Sequence, residues 1–217
     1  MRVRRFTLLS LAALVVVAIG AVGFGVANIA PLDVLAIIGK SLFGLPVGGE
    51  LSAGSTAIVM EIRLPRILAA IAVGAALATS GAAFQSLLRN PLADPYVLGT
   101  SSGAALGAAI AFLAPITGIA WELGGVQLAA FVGALASVAL VWRIAGIGSG
   151  EERIASVLLV GYAVASLLAA ALSLVMLASG ANLRAIFGFL LGGLDGVTWP
   201  RLAAAALPIA IATLLLA

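Results

Sequence analysis

Apolar residues in this chain run for about 20 positions or more between charges, the length an α-helix needs to cross roughly 30 Å of hydrocarbon. Several such runs follow one another, and the alternating pattern of about ten residues that marks a membrane barrel strand is missing. Of 217 residues, 64% are hydrophobic and 9% charged, against about a quarter charged in a soluble domain, and mean hydropathy is +1.28. A water-soluble core has nowhere to place that much apolar surface. The sequence therefore predicts an all-α, polytopic helical membrane protein with about six transmembrane helices.

These spans fall at about 6–27, 64–88, 95–113, 125–141, 154–178 and 200–217. Arg2, Arg4 and Arg5 precede the first and, by the positive-inside rule, place the N-terminus in the cytoplasm. A cleaved signal peptide is the competing reading, but its apolar region would be roughly 7–15 residues, whereas this one is about 22 and leads into further spans. Residues 31–63 then lie outside. They hold a short amphipathic stretch, Val34–Phe43, and a turn-rich connection marked by Gly48, Gly49, Ser52, Gly54 and Ser55, with Pro65 in the first turn of the second span. The cytoplasmic loop "RNPLADP" follows: Arg89-Asn90-Pro91 ends one helix, and Asp94 caps the next with Pro95 at its first position. "WRIAGIGSGEERI" forms a second cytoplasmic loop, and the glycine-broken "SGANLRAIFGFLLGGLDGVTWPR" an outer short helix plus turn. The chain stops at Ala217 inside the sixth span, so more protein is expected to follow.

Neither cysteine nor histidine occurs, which removes disulfides, thiolate sites and the commonest metal ligand and general base. No cofactor or metal is expected. The net charge of +3 and pI near 10.2 come from basic residues set singly at helix ends, which suits membrane topology and not nucleic acid. "GTSSG" at 99–103 fits the nucleophile-elbow pattern, yet that elbow needs a preceding strand and a histidine base. "GKS" at 39–41 looks like the end of a phosphate-binding loop, but Val34 stands where its first glycine belongs. Nucleotide binding and hydrolytic chemistry are therefore not expected of this chain.

Gly99, Gly103 and Gly107 are spaced four apart and line one helix face. Two uses fit that stripe: close packing of a second helix, or a smooth wall beside a wide pore. Thr79, Ser80 and Gln85 are the polar positions of the second span, and no charge falls in the middle of any span, which counts against ion coupling. Arg63 and Arg66, at the outer end of that span, fit headgroup snorkelling or pairing with Glu61 as well as docking of an acidic partner.

The run "RLPRILAAIAVGAALATSGAAFQSLLRNPLADPYVLGTSSGAALG", residues 63–107, closely resembles the permease subunits of type II ABC importers for iron-siderophores, haem and cobalamin, and "NLRAIFGFLLGGLDGVTW", 182–199, is similar to the later outer segment of the same family. The resemblance implies a non-enzymatic subunit of about ten helices in the cytoplasmic membrane of a prokaryote. It would work as a homodimer, with two cytoplasmic ATPase subunits, a periplasmic or lipoprotein substrate-binding protein, and membrane lipid around it. It implies that Arg63 and Arg66 meet glutamates of that binding protein. Gly99, Ser102, Gly103 and Gly107 would lie close to the translocation path, and Glu152, Arg153, Ile154, Ala155 and Ser156 near the cytoplasmic gate. With about six spans of about ten, the 217 residues alone are not expected to transport. The alternatives are an ion-coupled secondary transporter, which would show a midplane charge or paired broken helices, and an intramembrane enzyme, for which no catalytic set is evident.

Overall fold

Where a backbone cannot bond to water, each amide and carbonyl must be satisfied within its own segment, and the helix is the way a single segment achieves this. A computed structural model describes residues 2–46, 51–114, 124–146 and 151–216, with backbone alone at residues 2, 3, 95, 97 and 151–153. Among these, five helices are long and apolar enough to cross a membrane: α1 (Arg2–Gly23), α3 (Ala53–Leu88), α5 (Gly125–Ala145), α6 (Glu151–Ala178) and α8 (Trp199–Leu216). Shorter helices are α2 (Pro31–Phe43), α4 (Thr100–Leu113) and α7 (Leu183–Leu190). The chain is a multi-pass, all-helical membrane protein. Its spans expose large side chains such as Phe6, Val16, Phe131 and Leu174, which an apolar surrounding tolerates and water would not. The hydroxyls of Thr79, Ser166 and Ser173 bond back to the carbonyls of Ala75, Tyr162 and Ala169 at 2.9, 2.9 and 3.0 Å; this leaves no donor stranded on those faces.

The chain divides into two compact units, residues 1–74 with 194–207, and residues 75–193 with 208–217. In the first, Val22, Ile29, Val34, Ile37 and Val59 form the core. Helix α2 begins at Pro31, ahead of the expected Val34, with the proline in its first turn, and Asp33 near its N-terminus and Lys40 in its last turn lie on the sides the helix dipole favours. Gly44 ends it at φ 65°, and the Leu45 amide reaches back to the Gly39 carbonyl at 3.2 Å, a left-handed cap that a Cβ would disfavour. Gly39, Lys40 and Ser41 lie inside this helix, so their amides form no phosphate cradle.

The second span departs from the expectation. Helix α3 starts at Ala53 instead of Leu64 and runs unbroken past Pro65, so the segment after Ser52 is helix and not a connecting turn; Gly48 and Gly49 lie outside the described residues. The reason is a π-helical turn, Ile58–Arg63, immediately before the proline. Proline in a helix interior lacks a donor and collides with the carbonyl four residues back. The wider π turn shifts the bonding register there. Pro65 is then fully buried inside the helix.

In the second unit, Arg89 ends α3 at φ 48°, the Asn90 side chain accepts from the Leu92 amide at 2.9 Å, and Gln85 donates to the Pro91 carbonyl at 3.0 Å. Asp94 is the expected cap, accepting from the Tyr96 amide at 2.9 Å. It opens only a short 3-10 turn, Pro95–Leu98, before Gly99 at φ 71° redirects the backbone into α4. The expected span 95–113 is thus two pieces, and α4, with 14 residues, is by itself too short to cross about 30 Å. It packs against α5 and α6, and Phe112 meets Phe189 of α7 edge to face at 6.1 Å. The outer segment forms the expected short helix, preceded by the 3-10 turn Gly180–Asn182 and followed by a turn with Gly192 at φ 77°.

Candidate functional site

Residues 60–66 of α3, about two turns, carry polar contacts to distant parts of the first unit. Arg63 points inward: its guanidinium donates to the carbonyl of Val22 at 2.6 Å, to that of Gly23 at 3.0 Å and to that of Ala27. Those carbonyls lie at and just beyond the end of α1, where the last turn has no intrahelical donors, and a guanidinium supplies several in a planar fork. Gly25 makes room for it, since a Cβ there would sit 2.6 Å from Arg63 Nη2. Arg66 points elsewhere. Its Nη1 pairs with Asp195 Oδ1 at 3.2 Å and its Nη2 donates to the Asp195 carbonyl at 3.4 Å. Arg66 keeps 39% of its side chain exposed and Asp195 90%, so this pair is open to water. Of the two arginines read as a docking pair, the structure commits one to holding α1 and leaves the other at a surface with a carboxylate of its own. Glu61, the alternative intrachain partner, is exposed on the same turn.

The sequence left Asp195 unconnected to Arg66, because 129 residues separate them. It also missed the bond from Trp199 Nε1 to the Met60 carbonyl at 2.9 Å, across 139 residues. A tryptophan followed by proline after a glycine-rich segment reads as a helix start, and nothing in its neighbours names a distant acceptor.

In the second unit the glycine stripe packs. A Cβ on Gly99 would meet Ser137 Oγ at 2.8 Å; on Gly103, the Gly133 carbonyl oxygen at 2.5 Å and Ser137 Cβ at 2.8 Å; on Gly107, the carbonyl oxygen of Ala129. Each step of four forward along the stripe is a step of four backward along α5, the register of two antiparallel helices in backbone contact. Ser137 is buried and donates to the Leu98 carbonyl at 3.2 Å, just where the 3-10 turn gives way to α4. Ala129, Gly133 and Ser137 are themselves four apart, a matching stripe of small residues that the sequence carried without remark. Gly99, Gly103 and Gly107 therefore face α5, whereas Ser102 is half-buried beside that contact. At the start of α6, Ile154 and Ser156 are half-buried and Ala155 exposed; the side chains of Glu152 and Arg153 lie outside the described residues, as do residues 147–150 of the loop before them.

Comparison with known proteins matches this architecture. The chain is 41% identical over 169 residues to the cobalamin import system permease protein BtuC of Halobacterium salinarum, covering 78% of this chain and 42% of that protein. It is 41% identical over 161 residues to the ABC transporter permease protein YvrB of Bacillus subtilis, 72% of this chain and 44% of that one. Against the vitamin B12 import system permease protein BtuC of Klebsiella pneumoniae the identity is 38% over 161 residues, 73% and 46% of the two chains. The chain thus spans under half the length of these relatives. A solved structure described as an inward-facing conformation of a metal-chelate type ABC transporter superposes with a TM-score of 0.76 over 98% of this chain and 61% of that one; at 24% identity it speaks for the fold. With residues 10–217 matched by a single family description, the chain belongs to the FecCD transport family.

Proposed function

We propose that this chain forms part of the membrane subunit of an ATP-driven importer for a corrinoid or another large metal chelate. The observation that carries the reading is the 38–41% identity to cobalamin and vitamin B12 import permeases over more than 70% of the chain. The subunit would pair with a second copy, take its energy from two cytoplasmic ATPase subunits and receive its substrate from a binding protein outside. Arg2, Arg4 and Arg5 support a cytoplasmic N-terminus in the cell membrane of a prokaryote. Iron-siderophore and haem are the other substrates of this class.

In this reading Arg66 is the main docking residue, because its side chain is partly exposed and its present partner is a solvent-facing carboxylate, while Arg63 keeps the turn beneath it in place. The path role rests on the part of α4 that carries Ser102, and residues 152–156 serve the inner gate. The test is uptake of radiolabelled cyanocobalamin by cells lacking their own permease and supplied with the full-length protein, its ATPase and its binding protein. Uptake is expected, and Arg66→Glu should abolish binding-protein association through like-charge contact while the permease still reaches the membrane. Absence of uptake for cyanocobalamin, haemin and ferrichrome alike, with all three subunits present, would overturn the importer reading. Association unchanged by Arg66→Glu would overturn the docking role.

A further inference from the structure

The π turn of α3 contains an acceptor that its own helix does not serve. In this turn the Leu64 amide bonds to the Val59 carbonyl, five residues back. Carried one residue on, that register hands the Met60 carbonyl to residue 65, which is Pro65 and has no amide hydrogen. The carbonyl would be stranded in a half-buried site, a condition backbone groups avoid. Instead it accepts from Trp199 Nε1 at 2.9 Å.

We infer that Trp199 is a positioning residue: its indole N–H takes the place of the amide that Pro65 lacks, and it thereby holds the π register of α3. The two features are one device, since an ordinary residue at 65 could supply the donor from the backbone, and the indole would then share that acceptor and bind it more weakly. The register decides how the residues before the π turn are rotated relative to those after it. Arg63 lies in the turn and Arg66 just past it, so the same bond fixes the angle between the arginine that holds α1 and the one that meets Asp195. Asp195 and Trp199 belong to one short segment, which thus holds the turn from within at Met60 and the helix just past it at Arg66. That this matters for docking rests on the role proposed above for Arg66; the device itself does not.

The experiment uses the full-length protein in detergent micelles, as wild type, Trp199→Phe, Pro65→Ala and the double variant. Phenylalanine keeps the aromatic bulk and removes the donor. Hydrogen exchange of the amides of residues 60–67 is read by mass spectrometry, and the indole N–H of Trp199 by nitrogen-15 NMR, assigned by its disappearance in Trp199→Phe. With Pro65 in place, loss of the indole should speed local exchange by about 5- to 30-fold. In the Pro65→Ala background the same loss should change it by less than about 2-fold, and the indole N–H should exchange with water faster than in the wild type. Equal acceleration in both backgrounds, or none in either, would overturn the inference. No readout involves a binding protein, so failure here leaves the docking role of Arg66 standing, and the failure of that role leaves this device standing.

Discussion

Replacing Gly103 with alanine adds one methyl group where α4 and α5 touch backbone to backbone. The new Cβ would lie 2.5 Å from the Gly133 carbonyl oxygen, 2.8 Å from Ser137 Cβ and 3.1 Å from the Gly133 carbonyl carbon. Neither backbone atom can rotate away as a side-chain tip would. Comfortable contact lies near 3.5 Å, so the helices must part by about 1 Å, and a gap of that size forfeits a quarter to a half of the dispersion well at every neighbouring contact. Overpacking of this kind costs about 1–3 kcal/mol. Gly74 and Gly81 provide the control: nothing lies within 4 Å of a Cβ built on either, so alanine there should be neutral or, from helix propensity, stabilising by up to about 1 kcal/mol. The assay is thermal unfolding of the full-length protein in one detergent, followed by loss of monodisperse protein. Gly103→Ala should melt clearly below wild type and Gly74→Ala and Gly81→Ala at or above it. A Gly103→Ala protein as stable as Gly81→Ala would refute the close-packed register of α4 and α5.

Arg63→Ala should destabilise by about 1.5–3 kcal/mol, because it strips charged donors from three carbonyls of the α1 end; Arg63→Lys, which cannot fork across them, should recover less than half of that in the same melting assay. Asp195→Asn should change stability by less than about 1 kcal/mol, since an exposed pair contributes little, and a larger loss would mean that the Arg66 pair carries more of the first unit than its exposure implies. Because the chain has no cysteine, a single one at Asp94 reports topology: an impermeant maleimide added to intact cells should leave it unlabelled, and labelling it only after lysis is the expected pattern.

What the sequence by itself determined is the part governed by short-range physics. Apolar runs of membrane length must become helices, so the all-helical, multi-pass class was legible, and so were the Asp94 cap and the amphipathic stretch of α2 from Val34 to Phe43, because each depends on residues a few positions apart. The run from Arg63 to Gly107 likewise pointed to the family before any coordinates. Tertiary structure decided the rest. Pro65 reads as a helix start, and what lets α3 pass through it is a π turn whose carbonyl finds Trp199, a donor 139 residues away. The glycine stripe was visible, but whether it faced a pore or a helix depended on the matching stripe of Ala129, Gly133 and Ser137, which is legible only once the two helices are laid antiparallel. Two arginines three residues apart looked equivalent, yet Arg63 was drawn to the open carbonyls at the end of α1 and Arg66 to Asp195. A polar group in an apolar surrounding goes to whichever partner the fold brings within about 3 Å, and local sequence does not contain that distance.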